Sequence, residues 1–270
     1  MAEKPVAGKS AVGKAGKRRS AKKVPDPATP PRPLVPRRSA FRRLLRALFL
    51  WPLRIMAALV VFAVLWVAAY RVIDPPGGVY MAQEWWRLGG LSRDWRDLEA
   101  MSPEMARAVV AAEDARFCQH YGLDFEAIEK ALEEREAGGR LRGASTLTQQ
   151  VAKNVFLWHG RSFLRKGLEA GFALTIEVLW PKHRIVEVYL NVAEFGPGVF
   201  GAEAAAQHHF GRGAEALTLR QASRLAAALP NPKERDPGNP GPWMRNRAAA
   251  IAQGAETLRV SGSAGCLESL

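Results

Sequence analysis

A long apolar segment limits what this chain can fold into more than any other feature of its sequence. The segment ALFLWPLRIMAALVVFAVLWVAAYRVI covers residues 47–73 and has no charged residue between Ile55 and Tyr70. The charged heads of Arg54 and Arg71 can reach the interface on their long stems, so the apolar stretch attains the ~20 residues that a bilayer requires. We therefore predict one transmembrane helix at 47–73.

The segment before this helix is strongly basic. Residues 1–46 hold 14 Lys and Arg residues against Glu3 and Asp26, a net charge of +12 out of the formal +13 of the chain. The segment has few large apolar residues, so we predict a disordered tail. Because basic residues stay on the cytoplasmic side of a membrane span, the tail is predicted to be cytoplasmic and the body periplasmic.

The N-terminal region fits a signal peptide or a nucleic-acid-binding arm less well. A cleaved signal peptide is conceivable because Val67-Ala68-Ala69 resembles a cleavage site, but the basic and apolar regions are both too long for one. A nucleic-acid-binding arm is not expected beside a membrane span, and the rest of the chain is nearly neutral. The tail is better suited to contact anionic lipid.

The remainder of the chain is long enough for one good-sized domain. Hydrophobic residues make up 48% of the sequence, which is sufficient for a core. We predict that Cys118 and Cys266 are unpaired, small apolar residues, with a disulfide formed in an oxidising periplasm as the alternative. The five histidines are scattered, which argues against a metallohydrolase.

The first clear helix of the body carries two adjacent carboxylates in an apolar run. Ser102 is a suitable capping residue, and Pro103 suits the first helical position. Glu113 lies four residues after Val109 and four before Phe117, so it projects from the apolar stripe of the helix.

A carboxylate on such a stripe is costly unless it is paired or opens into a cleft. Burial would raise its pKa towards neutrality, as a general base or acid requires. The alternative is a structural Glu113 paired with Arg116 or His120, and this helix by itself does not decide between the two. Asp114, turned about 100° away, is expected to cap the helix or to bond to backbone.

A second informative run, RLRGASTLTQQVAKNVFLW, covers residues 140–158. It begins as a hydroxyl-bearing loop and continues as a helix with a cluster of polar side chains. The cluster consists of Thr148, Gln149, Gln150, Lys153 and Asn154. Such side chains suit a groove lined for sugars or phosphate, and a capped helix with a polar face is the alternative.

A third run predicts a helix from Arg165 to Trp180. Its predicted buried face consists of Leu168, Phe172, Ile176 and Leu179. Glu169 lies beside that face, with Arg165 and Lys166 a turn away, as at the edge of a cleft. An ordinary ion pair between residues four apart is the alternative.

The rest of the body is predicted to form further helices. One runs through Asn191 to a Gly/Pro turn, and an Ala-rich helix follows. A last segment opens with Thr218 and Gln221 as a capping box and ends at Pro230.

Four of these runs, in this order, resemble the peptidoglycan glycosyltransferases. They are Glu113-Asp114-x-x-Phe117-x-x-His120-x-Gly122, GASTLTQQ with Lys153-Asn154, Arg165-Lys166-x-x-Glu169, and Lys182 through Tyr189-Leu190-Asn191. The resemblance spans roughly 85–250 and is greatest to the monofunctional biosynthetic transglycosylases. Ala144 and Gln221 depart from the family, which usually has a second glycine and a glutamate there.

The resemblance implies a mainly α-helical fold. A lysozyme-like glycosyltransferase domain with a small membrane-proximal lobe would follow one transmembrane helix. The implied division of the chain is a basic tail at 1–46, a transmembrane helix at 47–73, a membrane-proximal linker at 74–100, a glycosyltransferase domain at 85–255 and a C-terminal tail at 256–270. Trp85 and Trp86 would either enter the lipid headgroups or belong to the core.

The resemblance also implies an activity. Lipid II would be polymerised into β-1,4-linked glycan by an inverting displacement that releases undecaprenyl diphosphate. Glu113 would be the general base, and Glu169 would position the donor or hold a divalent metal ion, Mg²⁺ or Mn²⁺, with no organic cofactor. The implied substrate-binding residues are Asp114, Phe117, His120, Ser145, Thr146, Gln149, Gln150, Lys153, Asn154, Arg165, Lys166, Tyr189 and Asn191.

The implied partners are lipid II, the growing strand, the inner membrane and other proteins of cell-wall synthesis or division, but not nucleic acid. Two other functions stay open. A lytic enzyme acting on finished peptidoglycan would have little use for the cations near Glu169, since a neutral glycan offers no charge to hold. A catalytically silent, membrane-anchored scaffold would not need Glu113, Glu169 and Lys153.

Overall fold

The computed structural model describes residues 38–139, 145–160 and 162–268. Most of the predicted disordered tail, and the departure at Ala144, lie outside the described residues. The chain forms two compact units that divide between Leu53 and Arg54. The described part of the first unit is the beginning of one long helix, and all other elements belong to the second unit.

The described residues are mainly α-helical, as predicted. The helices are α1 (Arg38–Tyr70), α2 (Val79–Leu88), α3 (Pro103–Glu113), α4 (Phe125–Glu136), α5 (Leu147–Phe156), α6 (Phe163–Leu179), α7 (Lys182–Val192), α8 (Ala202–Phe210), α9 (Leu219–Ala228), α10 (Pro242–Ser261) and α11 (Gly265–Glu268). Three short strands accompany them: β1 (Ser92–Arg93), β2 (Glu194–Gly196) and β3 (Val199–Phe200).

Helix α1 contains the candidate membrane span. Its segment Arg46–Tyr70 is, among the described residues, the one stretch of helix long and apolar enough to cross a bilayer. Side chains along the segment, such as Leu59 and Phe62, are exposed, which suits a lipid environment. The helix begins at Arg38, inside the predicted tail, because Arg, Leu and Ala after that point favour a helix.

The exit from α1 is tied to the body. Trp180 Nε1 donates to the carbonyl oxygen of Val67 over 2.7 Å, and the guanidinium of Arg184 donates to that of Tyr70 over 3.1 Å. The segment 74–100 then contains α2 and β1, so much of this predicted linker has regular structure.

The tryptophans of α2 are not part of the core. Trp85 is 54% exposed and Trp86 is 84% exposed. Of the two roles that the sequence leaves open for them, the structure therefore excludes burial.

Two groups of helices build the second unit. Helices α3, α9 and α10 pack against one another, and α5 packs against both α6 and α7. The predicted helix starts are confirmed: Ser102 accepts a hydrogen bond from the N–H of Glu104, Pro103 occupies the first turn, and Thr218 forms a capping box with Gln221.

The three strands form one small sheet in the order β1-β3-β2. Strand β1 is parallel to β3, with Ser92 opposite Val199, and β2 is antiparallel to β3, with Glu194 opposite Phe200. The predicted Gly/Pro turn joins β2 to β3. The sheet thereby ties the segment before α3 to the segment after α7.

Helix α6 buries the predicted face only in part. Its buried residues are Arg165, Glu169, Ala173 and Ile176. Phe172 and Leu179 pack partly buried against the core, but Leu168 is 40% exposed. The carboxylate of Glu169 faces inwards beside cations of the same helix, so the buried face is shifted from the one that the apolar pattern gives.

The prediction of unpaired cysteines is wrong. Cys118 and Cys266 form a disulfide with their Cα atoms 5.7 Å apart. The bond joins the segment after α3 to α11, and the 148 residues that separate the two cysteines explain why spacing along the chain does not reveal it.

Candidate active site

Glu113 is the last residue of α3, and its side chain is bonded to α5. Gln150 Nε2 donates to Glu113 Oε2 over 2.8 Å, and the hydroxyl of Tyr189 donates to Gln150 Oε1 over 3.2 Å. Burial raises the pKa of the Glu113 carboxyl, although the Gln150 hydrogen bond and the cations Arg247 and Lys153 act in the opposite direction. Such a carboxylate has the character that a general base requires.

Arg116 and His120, the two residues that the sequence suggests as ion-pair partners of Glu113, interact with other carboxylates. His120 Nε2 lies 2.9 Å from Asp114 Oδ1, and Arg116 pairs with a glutamate of α4. Asp114 is the C-capping residue of α3, and its Oδ2 accepts a hydrogen bond from the backbone N–H of Leu147 over 2.9 Å. Asp114 therefore ties the end of α3 to the start of α5, and within the described residues no cation forms a salt bridge with Glu113.

The first turn of α5 is closed by a capping box. Thr146 and Gln149 each accept a hydrogen bond from the other's backbone N–H. The Thr146 hydroxyl also donates to the carbonyl oxygen of Gly122 over 2.6 Å. Residue 122 has a φ of +74°, and a Cβ there would lie 3.1 Å from the backbone of Ala173, so both the conformation and the space favour glycine. Both predicted substrate-binding side chains are buried in this arrangement, so the structure favours a supporting role for them.

Glu169 is held by two cations. Its carboxylate accepts from Arg165 Nη1 over 2.6 Å and from Lys166 Nζ over 2.5 Å. Lys166 Nζ also donates to the hydroxyl of Ser145 over 2.9 Å. Both oxygens of the buried Glu169 are thus engaged by cations, and the tentative prediction that Glu169 binds a metal ion stays a prediction.

Lys153 lies near both carboxylates without pairing with either. Burial lowers the pKa of its ammonium group, while the negative charges of Glu169 and Glu113 act in the opposite direction. Among the described residues no carboxylate forms a salt bridge with Lys153, and the side chain of Asn154 makes no hydrogen bond. Both side chains have polar groups available for a ligand.

One cluster in the described part of the chain has metal-ligand chemistry. Asp114, His120 and Asp124 are buried, and one ligand atom from each lies within 4.8 Å of the others. His120 Nδ1 is buried and has no hydrogen-bond partner among the residues that the structure describes, whereas Asp124 Oδ1 caps α4 through the N–H of Ala127 over 3.0 Å. Two carboxylates and an imidazole fit a divalent ion, and suit Mn²⁺ better than Mg²⁺, which prefers oxygen ligands.

Three predicted substrate-binding residues are almost wholly buried. They are Phe117, Tyr189 and Asn191, with exposures of 0–1%. The amide of Asn191 donates to the carbonyl oxygens of Arg96 over 2.8 Å and Glu187 over 2.9 Å. These contacts fix neighbouring segments. The prediction that the three side chains bind substrate stays a prediction.

Glu113 and Gln150 each line a cavity. The first, of about 220 Å³, is lined by Glu113, Asp114, Ala115, Arg116, Asp124, Ala127, Ser145 and Thr146. The second, of about 150 Å³, is lined by Tyr80, Gln150, Lys153, Asn154, His159, Tyr189, Val192, Ala193, Glu194, Leu229 and Pro232. Two cavities, one lined by Glu113 and the other by the glutamine that holds it, suit a reaction between two substrates.

The wall of the second cavity contains residues that sequence reasoning misses. The Tyr80 hydroxyl donates to Glu194 Oε2 over 2.5 Å, and its ring stacks on His159 at 3.9 Å between centroids. Burial raises the pKa of Tyr80 to about 12 and lowers the pKa of His159 to about 4, so both are neutral at pH 7. No signal in the sequence predicts this wall, because Tyr80 and Glu194 lie on distant segments.

Comparison with known proteins identifies the family. A family model described as Transglycosylase matches residues 82–256, which include the residues of both cavities apart from Tyr80. The biosynthetic peptidoglycan transglycosylase of Jannaschia sp. (strain CCS1) is 53% identical over 228 residues, which cover 84% of this chain and 94% of the relative. The biosynthetic peptidoglycan transglycosylase of Pseudomonas aeruginosa is 54% identical, over 80% of this chain and 92% of the relative. That of Caulobacter vibrioides is 47% identical, over 84% of this chain and 97% of the relative.

These similarities extend over most of the chain and include every motif on which the resemblance was based. They confirm the family that the sequence motifs indicate. The chain belongs to the transglycosylase family.

Proposed function

We propose that this peptidoglycan glycosyltransferase polymerises lipid II into β-1,4-linked glycan with inversion at the donor carbon. The observation that carries the proposal is the setting of Glu113, a partly buried carboxylate with a raised pKa that is held by a neutral amide and lines a cavity. A sugar hydroxyl hardly ionises at neutral pH, and a base in this setting can remove its proton as it attacks.

In the proposed displacement, the 4-hydroxyl oxygen of the lipid II GlcNAc forms a bond to C1 of the MurNAc at the end of the growing strand. The bond from C1 to the diphosphate oxygen breaks, and its electron pair leaves with undecaprenyl diphosphate. Glu113 takes the proton of the attacking hydroxyl. Attack opposite to the leaving group converts the α linkage of the donor into a β linkage.

Three cations are proposed to neutralise the negative charge of the leaving diphosphate. Lys153, Arg165 and Lys166 carry three positive charges against the one negative charge of Glu169. Preorganised cations of this kind stabilise charge that develops in a transition state. A divalent metal ion bound by Asp114, His120 and Asp124 would supply further positive charge at the site.

The proposed location is the inner membrane, crossed once, with the tail in the cytoplasm and the body in the periplasm. The basic tail and the apolar helix α1 support this orientation. The disulfide between Cys118 and Cys266 supports it independently, because such bonds persist outside the cytoplasm. Tethering the enzyme in the leaflet of its lipid-linked substrate raises the effective concentration of that substrate.

Reporter fusions test this orientation. A reporter fused after Leu270 should be active only in the periplasm, and one fused before Lys4 only in the cytoplasm. The opposite pattern, or a mature chain that begins near Tyr70, would overturn the anchored arrangement.

Incubation of the purified protein with lipid II and Mn²⁺ or Mg²⁺ tests the activity. Polymer should accumulate, and digestion with muramidase should convert it to disaccharide-peptides. Glu113→Gln is the control for a contaminating polymerase. Cleavage of finished glycan without any polymer would favour the lytic alternative instead.

A further inference from the structure

We propose that Tyr189 and Gln150 form a positioning relay for Glu113, in which the tyrosine hydroxyl orients the glutamine amide and the amide holds the carboxylate. The inference rests on the proposed role of Glu113 as the base. It gives Tyr189 a function that does not require contact with substrate, since the side chain is only 1% exposed.

The relay joins three helices through two hydrogen bonds. Tyr189 on α7 donates to Gln150 Oε1 over 3.2 Å, and Gln150 on α5 donates through Nε2 to Glu113 at the end of α3 over 2.8 Å. Among the described residues, Gln150 is the one hydrogen-bond donor to the side chain of Glu113. The position of the base therefore depends on the orientation of a single amide.

An amide can be reversed, and Tyr189 decides against the reversed form. A hydroxyl that donates to Oε1 leaves the NH₂ group of Gln150 directed at Glu113. In the reversed form Oε1 would face an ionised carboxylate, which repels it. Without the hydroxyl, Oε1 would lose its donor in a partly buried place, and the amide would lose the contact that fixes its orientation.

The charged groups around Glu113 do not replace this bond. Arg247 on α10 and Lys153 on α5 act on the carboxylate at longer range, and Asp114 repels it. The guanidinium of Arg247 donates to the backbone carbonyl oxygen of Ala112 over 3.1 Å. These charges influence ionisation but do not orient the two carboxylate oxygens.

Steady-state kinetics of Tyr189→Phe with lipid II test the relay. We expect kcat to fall about 10-fold while KM changes less than 2-fold, because the lost contact orients the base and does not bind substrate. Tyr121→Phe is the matched control, since Tyr121 is 79% exposed and its loss of a hydroxyl should leave both constants unchanged. A rise in KM at constant kcat would overturn the relay, because it would place Tyr189 in substrate binding.

Coupling between the two residues gives a second test. Gln150→Met keeps the length of the side chain and removes the amide, and it should lower kcat further than Tyr189→Phe does. In the Gln150→Met background, Tyr189→Phe should cause no additional loss, since the hydroxyl acts through the amide. Multiplying effects would contradict the relay.

Two measurements keep the outcomes separate. Circular dichroism and thermal melting of each variant distinguish a displaced base from an unfolded protein, and the kinetics of Gln150→Met stand if Tyr189→Phe does not fold. A wild-type protein that makes no polymer would contradict the proposed function. A wild-type protein that polymerises lipid II while the two substitutions act independently would contradict the relay alone.

Discussion

Two glutamates of this protein, Glu113 at the end of α3 and Glu169 within α6, sit in opposite surroundings. Glu113 receives a hydrogen bond from a neutral amide, and burial raises the pKa of its carboxyl. Glu169 is clamped by Arg165 and Lys166 at 2.6 and 2.5 Å. The same side chain is thus suited to accept a proton in one place and to order cations in the other.

The comparison teaches that partners, and not residue type, assign the roles. Glu169 lies between two cations, which its carboxylate orders by accepting a hydrogen bond from each. A carboxylate that is partly deprived of water, with a neutral partner, binds a proton more readily than it would in water. The sequence alone proposes both glutamates for the chemistry, and the surroundings favour Glu113 as the base.

The largest expected effect is that of Glu113→Gln. Polymerisation should fall by about 10² to 10⁴, the usual contribution of a general base. The raised pKa means that ionised Glu113 disfavours the folded state at pH 7, so a neutral amide should leave the protein at least as stable. Polymerisation rates and melting temperatures check both statements.

Glu133→Gln, on the exposed surface of α4, is the control for Glu113→Gln and should behave as wild type. A folded Glu113→Gln protein that still polymerises lipid II at a near-normal rate would break the comparison. The base would then have to be sought at Glu169.

Lys153→Ala is expected to have the next largest effect. Loss of a preorganised contact with the leaving diphosphate should lower turnover by about 10² to 10³. Lys130→Ala removes an exposed lysine of α4 and should leave turnover unchanged. Equal rates for the two variants would mean that the cations near Glu169 have been wrongly assigned.

Glu169→Gln should affect stability more clearly than the proton-transfer step. Removing one partner of a buried ion pair leaves the guanidinium of Arg165 uncompensated, which costs about 3 kcal/mol. Denaturant unfolding measures this loss, and Glu256→Gln, in an exposed pair with Arg259, should change the unfolding midpoint little. A Glu169→Gln protein that unfolds like wild type would show that the clamp is not structural.

The smallest effect is expected from pH. The proposed base must be ionised, so the rate should fall as pH decreases through the raised pKa of Glu113, above the ordinary value of 4.5. Lys153 must be protonated to hold the diphosphate. Because its pKa is lowered, the rate on the alkaline side should begin to fall at a pH below 10.5, the ordinary pKa of a lysine. If kcat/KM instead declined only around pH 4.5 and pH 10.5, the ordinary pKa values of the two groups, the result would contradict both pKa shifts.

Local features were predictable because their causes lie within a few residues. The apolar run of α1, the capping of α3 by Ser102 and the capping box of Thr218 and Gln221 each depend on neighbours along the chain. Helical spacing places Glu113 on an apolar stripe in the same way. The order of the motifs was sufficient to indicate the family.

Contacts between distant segments could not be predicted in this way. Nothing near Glu113 in the sequence names Gln150, 37 residues away, as its partner, and nothing near Cys118 names Cys266. The buried face of α6 includes Glu169 as well as the predicted Ile176, because a charged residue can face inwards when its counter-charges come with it.

The sequence by itself therefore determined the candidate membrane segment, the helices and their start signals, and the family to which the chain belongs. The tertiary structure decided which carboxylate is held by an amide and which by cations, where a metal ion fits, and which predicted binding residues are buried. The physical reason is that pKa, burial and metal ligation depend on groups within a few ångströms of each other. In this fold those groups come from helices far apart along the chain.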